Sequence, residues 1–136
     1  MSRICLDSNV LVAAFAARGL CADLLRLVLT EQHLVVPEIV ADEVRRVLRD
    51  KLRVSREAMG GFESVLERCE VGATTGAPAP IHVRDPDDER ILAEAVAMHY
   101  DLLVTGDDDL LCAAEEPPIP ILSPRGFMIL ARGGSP

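Results

Sequence analysis

Carboxylates dominate one stretch of this 136-residue chain, Arg84 to Leu111, RDPDDERILAEAVAMHYDLLVTGDDDLL. Between Asp85 and Asp109 nine acids stand against one base, Arg90. The excess, 9 − 1 = 8, matches the formal net charge of the whole protein, −8, so the rest of the chain is close to neutral. Like charge this concentrated destabilises the folded state unless a cation or solvent offsets it. Carboxylate oxygens are the ligands that Mg²⁺ and Mn²⁺ accept, so the acids that face inward decide the chemistry.

Periodicity singles out Asp88. In a helix starting near Asp87, Ile91, Leu92, Ala95 and Val96 form an apolar stripe with a 3.6-residue period. Three residues back from Ile91 lies Asp88, on the buried side of the first turn. The alternative role for Asp87 or Asp88 is to cap the helix, where Asp is favoured. Leu102, Leu103 and Val104 then read as a short buried strand. Asp107, Asp108 and Asp109 follow its carboxyl end, where open α/β sheets bind ligands. They form either a cation site or a solvated turn.

Two more acids occupy comparable positions. Asp7 closes a strand over Arg3 to Asp7, and Ser8 or Asn9 can cap the helix that follows, Val10 to Ala17, without it. Glu43 lies on or beside the stripe Val40, Val44, Val47 and Leu48 of a helix opened by Pro37. A glutamate is seldom buried unless paired or metal-bound; here the alternative is a rim pair with Arg46. The same helix and its continuation hold Arg45, Arg46, Arg49, Lys51, Arg53 and Arg56, six of the 14 basic residues in 12 positions. This is the one dense basic stretch in a protein of pI ≈ 4.8. It is either a solvated face or a phosphate-binding patch beside the acids.

The elements that must position these groups alternate from end to end. Helices are expected over Ala22 to Thr30 and from Ser55 to about Arg68, with strands at Leu34 to Val36 and Glu70 to Val71. Gly72 to Pro80 is a Pro/Gly-rich loop, expected to be the most flexible segment. A last strand, Ile119 to Leu122, carries Pro120 and so belongs at an edge. A closing helix spans Arg125 to Leu130, and the tail from Arg132 to Pro136 is expected to fray. Strand–helix alternation predicts a parallel sheet covered on both faces. With 49% hydrophobic and 26% charged residues the chain reads as one globular domain, residues 1–136. No apolar run is long enough to span a bilayer, so a cytoplasmic protein without membrane association is expected. The cysteines and histidines are scattered without zinc-ligand spacing. Aromatic content of 3% argues against a base-stacking platform.

Four acids converging from four parts of one chain repel one another, and one or two hard cations relieve that repulsion. Ions so held activate a water and stabilise the leaving oxygen of a phosphodiester. DSNVLV at Asp7, EIVADEVRRVL at Glu43, RDPDDERILAEA at Asp88 and LLVTGDDDLL at Asp107 resemble, in order, the segments of PIN-domain nucleases of the VapC-like toxin type. The resemblance runs from Arg3 through ILSPRGFMIL, nearly the whole chain. It implies a PIN-like (Rossmann-like) three-layer α/β/α fold with a short, mostly parallel sheet of about four to five strands. It implies a Mg²⁺- or Mn²⁺-dependent endoribonuclease acting on RNA, with a cognate antitoxin as partner; a homodimer is also expected. It assigns Asp7, Glu43, Asp88 and Asp107 to the metal site, with Asp109 near a position where the family often carries an acid. Asn9 and Thr105 become supporting polar groups that orient the acids. The basic patch, Arg45, Arg46 and Arg49, is the expected contact for neighbouring phosphates.

Two other classes compete. A response-regulator-like phosphoacceptor domain needs paired acids after its first strand and a lysine after its last. This chain has only Asp7 at the former, and its sole lysine is Lys51. A catalytically silent RNA-binding or scaffold protein of the same fold would not need all four acids.

Overall fold

The computed structural model describes residues 2–112 and 117–133. The chain opens with β1 (Arg3–Leu6), α1 (Ser8–Ala16), α2 (Leu20–Glu31) and β2 (His33–Pro37). α3 (Glu38–Arg46) then runs into a π-helical turn, Val47–Lys51, followed by α4 (Arg56–Arg68) and β3 (Glu70–Gly72). After a long loop come α5 (Pro86–Ala97), β4 (Leu102–Val104), α6 (Asp108–Leu111), β5 (Ile121–Leu122) and α7 (Pro124–Ala131).

All strand pairings are parallel, in the order β3-β2-β1-β4-β5. Neighbouring residues of a strand point to opposite faces. Ile4, Cys5 and Leu6 are all buried, as are Leu34 to Val36 and Leu102 to Val104. Both faces of the sheet are therefore covered, the three-layer α/β/α arrangement that apolar runs without alternation predict. α1 packs against α2, α3 and α4, while α5 lies against β2 and α6. Strand order reverses between β1 and β4, because β2 and β3 extend the sheet one way and β4 and β5 the other. Leu6 pairs with Val104, so the residues just beyond them, Asp7 and Thr105, are brought side by side at that reversal.

Local chemistry sets the element ends. Ser55 and Ser123 cap α4 and α7, accepting from Ala58 N and Gly126 N at 3.1 and 2.9 Å. Gly19, at φ +137°, makes the turn into α2 that a side chain would resist. Several boundaries differ from expectation. Asp85, not Asp87 or Asp88, caps α5, accepting from Asp87 N at 2.8 Å, and the helix begins at Pro86. Only Ile121–Leu122 of the expected last strand pairs, at the sheet edge. The third helix continues through a π turn in which Leu52 N donates to Val47 O at 2.8 Å. Residues 134–136 of the tail expected to fray lie outside the described residues. Among the described residues, no helix is long and apolar enough to cross a membrane.

One buried acid escaped the periodicity argument. Glu94 on α5 is only 3% exposed, and its carboxylate accepts from the Thr75 backbone N–H at 2.6 Å and from the Thr75 hydroxyl. It ties the otherwise irregular loop between β3 and α5 to the body of the fold. Thr75→Val deletes the hydroxyl donor and leaves a buried carboxylate oxygen under-satisfied. Urea unfolding should show a loss of about 1–3 kcal/mol.

Candidate functional site

The acids gather where the strand order reverses, beyond the carboxyl ends of β1 and β4. Asp7 is 2% exposed, and both its oxygens are held at 2.6 Å: Oδ1 by the Ser8 backbone N–H, Oδ2 by the Thr105 hydroxyl. Thr105 is fully buried and also accepts from Asp107 N at 3.0 Å, so one hydroxyl fixes two acids. Asp107 in turn caps α6, accepting from Asp109 N at 2.8 Å. The acid triplet opens a short helix, with Asp107 and Asp109 half-buried and Asp108 exposed. Asp7 likewise caps α1, a role that Ser8 or Asn9 was expected to fill.

Asp88 lies in the first turn of α5 and is 7% exposed. Its Oδ2 is buried with no hydrogen-bond partner. One oxygen from each of Asp88, Asp107 and Asp109 lies within 4.8 Å of the others. Asp7 and Glu43 do not join that tight group. Glu43, half-buried on α3, accepts instead from the Ser8 hydroxyl at 2.8 Å. It makes no ion pair with Arg46, the alternative that its spacing allowed. Asn9 is exposed, and among the described residues its side chain makes no hydrogen bond, so the orienting role assigned to it is not realised here.

Charge accumulates accordingly. Burial and the nearby Asp107 carboxylate, with Asp7 and Asp85 beyond it, push the Asp88 carboxyl up to about 8. Burial also raises Asp7, and Glu43 and Asp107 add to it, against the hydrogen bonds from Thr105 and Ser8 that favour its ionised form. Among the described residues the one ion pair to this group is Arg84 Nη2 to Asp109 Oδ2, 3.2 Å.

The basic stretch divides. Arg45 is engaged by Glu63 at 2.6 Å and Asp42 at 3.2 Å, and Arg49 by Asp50 at 2.9 Å. Arg45 is thus held by two acids of the chain, whereas the Arg49–Asp50 pair is exposed on both sides. Arg46 lines a groove between α3 and α5 with Ile39, Asp42, Glu43, Asp87, Arg90 and Ile91.

The geometry is that of an oxygen-rich pocket at the switch point of a doubly wound sheet, and a PIN domain family model matches residues 3–109. The chain belongs to the PIN domain family. Its fold is similar to a chain in the crystal structure of VapBC2 from Rickettsia felis bound to a DNA fragment from their promoter. That match has a TM-score of 0.67 and 16% identity over 89% of this chain and 98% of the other. A chain of DNA-bound VapBC from Salmonella typhimurium gives a TM-score of 0.66 and 16% identity, covering 91% and 99% respectively. No curated protein sequence matches.

Two residues of this PIN domain that matter to the pocket went unread in the sequence. Ser8 joins Asp7 to Glu43 through its backbone N–H and hydroxyl. A small polar residue directly after a strand-end acid was the available sign, but it read only as a helix cap. Arg84 drew no reading of its own.

The raised acids carry a pH signature. Unfolded, Asp88 ionises near the ordinary carboxyl value of about 3.9. Folded, it keeps its proton to about 8. Between these values the native state binds more protons than the unfolded one, so stability falls as pH rises. Urea midpoints in EDTA should therefore drop from pH 5 to pH 8. Asp88→Asn should flatten much of that drop.

Proposed function

We propose that this PIN domain is a Mg²⁺- or Mn²⁺-dependent endoribonuclease, and that it serves as the toxin of a toxin–antitoxin pair. The observation that carries the reading is that buried Asp88, whose Oδ2 has no hydrogen-bond partner, brings a carboxylate oxygen within 4.8 Å of oxygens of Asp107 and Asp109. Burial and the neighbouring acids favour the protonated form of Asp88, and a cation bound there would take the place of that proton. The donor set is all oxygen and all carboxylate, which suits a hard divalent ion rather than zinc or copper. Oxygens about 2.1 Å from a common octahedral Mg²⁺ lie about 3.0 Å apart when adjacent and about 4.2 Å apart when opposite, so the three acids need to close by up to about 2 Å.

Asp88, Asp107 and Asp109 would hold the ion. Asp7, fixed by Thr105 and Ser8, would add its charge at the border of the site. Bound there, the ion supplies Lewis acidity to a water and to the phosphodiester. Glu43, held by the Ser8 hydroxyl, stands on the groove side and is suited to orient water. Arg46 lines the same groove and would meet a phosphate neighbouring the scissile one, whereas Arg45 and Arg49 are occupied by acids of their own chain. The toxin role, with a cognate antitoxin as partner, rests on the family together with the fold likeness to the two VapBC structures.

Cleavage of single-stranded RNA should require Mg²⁺ or Mn²⁺ and stop in EDTA. Asp88→Asn should abolish it, and Asp87→Asn, exposed on the same turn, should do far less. Thr105→Val should cost about 10–100-fold through loss of the support that holds two acids. Activity of the Asp88→Asn protein at the wild-type level would refute the assignment.

The groove makes a separate demand. In an Asp88→Asn background, Arg46→Ala should lower the salt slope of RNA binding by about 0.7, one phosphate contact on a single strand. Arg45→Ala and Arg49→Ala should leave the slope nearly unchanged. The reverse order would move the RNA path away from the groove.

A further inference from the structure

Arg84 combines a fixed base with a free head. Val83, on one side of it, is buried, and its N–H donates to Glu89 Oε2 at 3.1 Å. Asp85, on the other, caps α5. The Arg84 side chain itself is 86% exposed, yet its guanidinium reaches Asp109 at 3.2 Å. Asp109 is also one of the three acids whose oxygens lie close enough to share an ion. An exposed ion pair contributes little and exchanges readily. A divalent ion on the Asp109 carboxylate would compete with the guanidinium for its negative charge, while the anchored backbone keeps Arg84 at the pocket mouth. A planar guanidinium matches phosphate oxygens in a two-pronged contact.

We propose that Arg84 is an exchangeable internal cation. It neutralises Asp109 while no divalent ion is held, and it turns to a phosphate of the single-stranded RNA once an ion takes its place. The inference rests on the nuclease reading above, and it makes Arg84 a residue with opposite effects on the two ligands. Removing it should favour the metal and disfavour the RNA. Damage to the loop, by contrast, would weaken both.

The test uses the full chain stripped with EDTA, with Mn²⁺ binding followed by the electron paramagnetic resonance signal of the free ion. Arg84→Gln should tighten Mn²⁺ binding about twofold to fivefold, the worth of an exposed ion pair. In an Asp109→Asn background the same substitution should lose most of that effect, because the pair is already gone. A general field effect of the lost charge would persist there and would overturn the proposal, as would unchanged or weaker Mn²⁺ binding by Arg84→Gln. At saturating Mn²⁺, Arg84→Gln should raise KM for single-stranded RNA and reduce the salt slope of kcat/KM by about 0.7. An unchanged slope would overturn the transfer to phosphate. If the wild-type protein binds no Mn²⁺ at all, the metal reading fails and this inference with it; failure of the variants alone leaves that reading standing.

Discussion

Mutual repulsion among carboxylates at the carboxyl edge of the sheet is the constraint that shapes the rest of this molecule. The fold answers it with backbone amides at helix starts. Asp7 caps α1, Asp107 caps α6 and Asp85 caps α5, while Asp88 sits in the first turn of that same helix. Amides at a helix N-terminus carry partial positive charge and favour an anion. The starts of α1 and α6 lie just beyond the carboxyl ends of the paired strands β1 and β4, so the sheet's switch point supplies both the concavity and part of the compensating field. That compensation is incomplete. Burial and its neighbours still raise the Asp88 carboxyl, and one of its oxygens has no partner.

Two buried hydroxyls turn separate caps into one pocket. Thr105 spans Asp7 and Asp107; Ser8 spans Asp7 and Glu43. Each hydroxyl donates to a carboxylate, and the strand register places Thr105 beside Asp7 without any loop having to fold over them. This is the same economy seen in the arginines. Arg45 is engaged by Glu63 and Asp42, while Arg46 lines the groove and Arg84 reaches the acid pocket.

Much of this was legible in the amino-acid order because strand and helix periods are strict. Counting back from Ile91 puts Asp88 on the buried side of α5, and unbroken apolar triplets identify β1, β2 and β4 as strands covered on both faces. The parts that were not legible have physical causes. α6 is four residues long, scarcely one turn, and too short to show a period. Thr105 was expected to orient the acids, but its bond to Asp7 joins positions 98 apart, so its partner was not marked locally. Arg45 had several acids within reach; its choice of Glu63, on the next helix, depends on how α3 and α4 pack. Asp85 won the cap of α5 from Asp87 and Asp88 because Pro86 fits the first helical position, which leaves the residue before it to cap. Tertiary packing decided each of these.

The central claim is that Asp88, Asp107 and Asp109 share one divalent ion at the switch point. Anomalous diffraction from crystals soaked in Mn²⁺ tests it without reference to activity. The account predicts one strong manganese peak within about 2.3 Å of an oxygen of each of the three acids, with Asp7 bordering the site. Manganese bound only elsewhere on the surface, with the Asp88 oxygen still unpartnered, would contradict it.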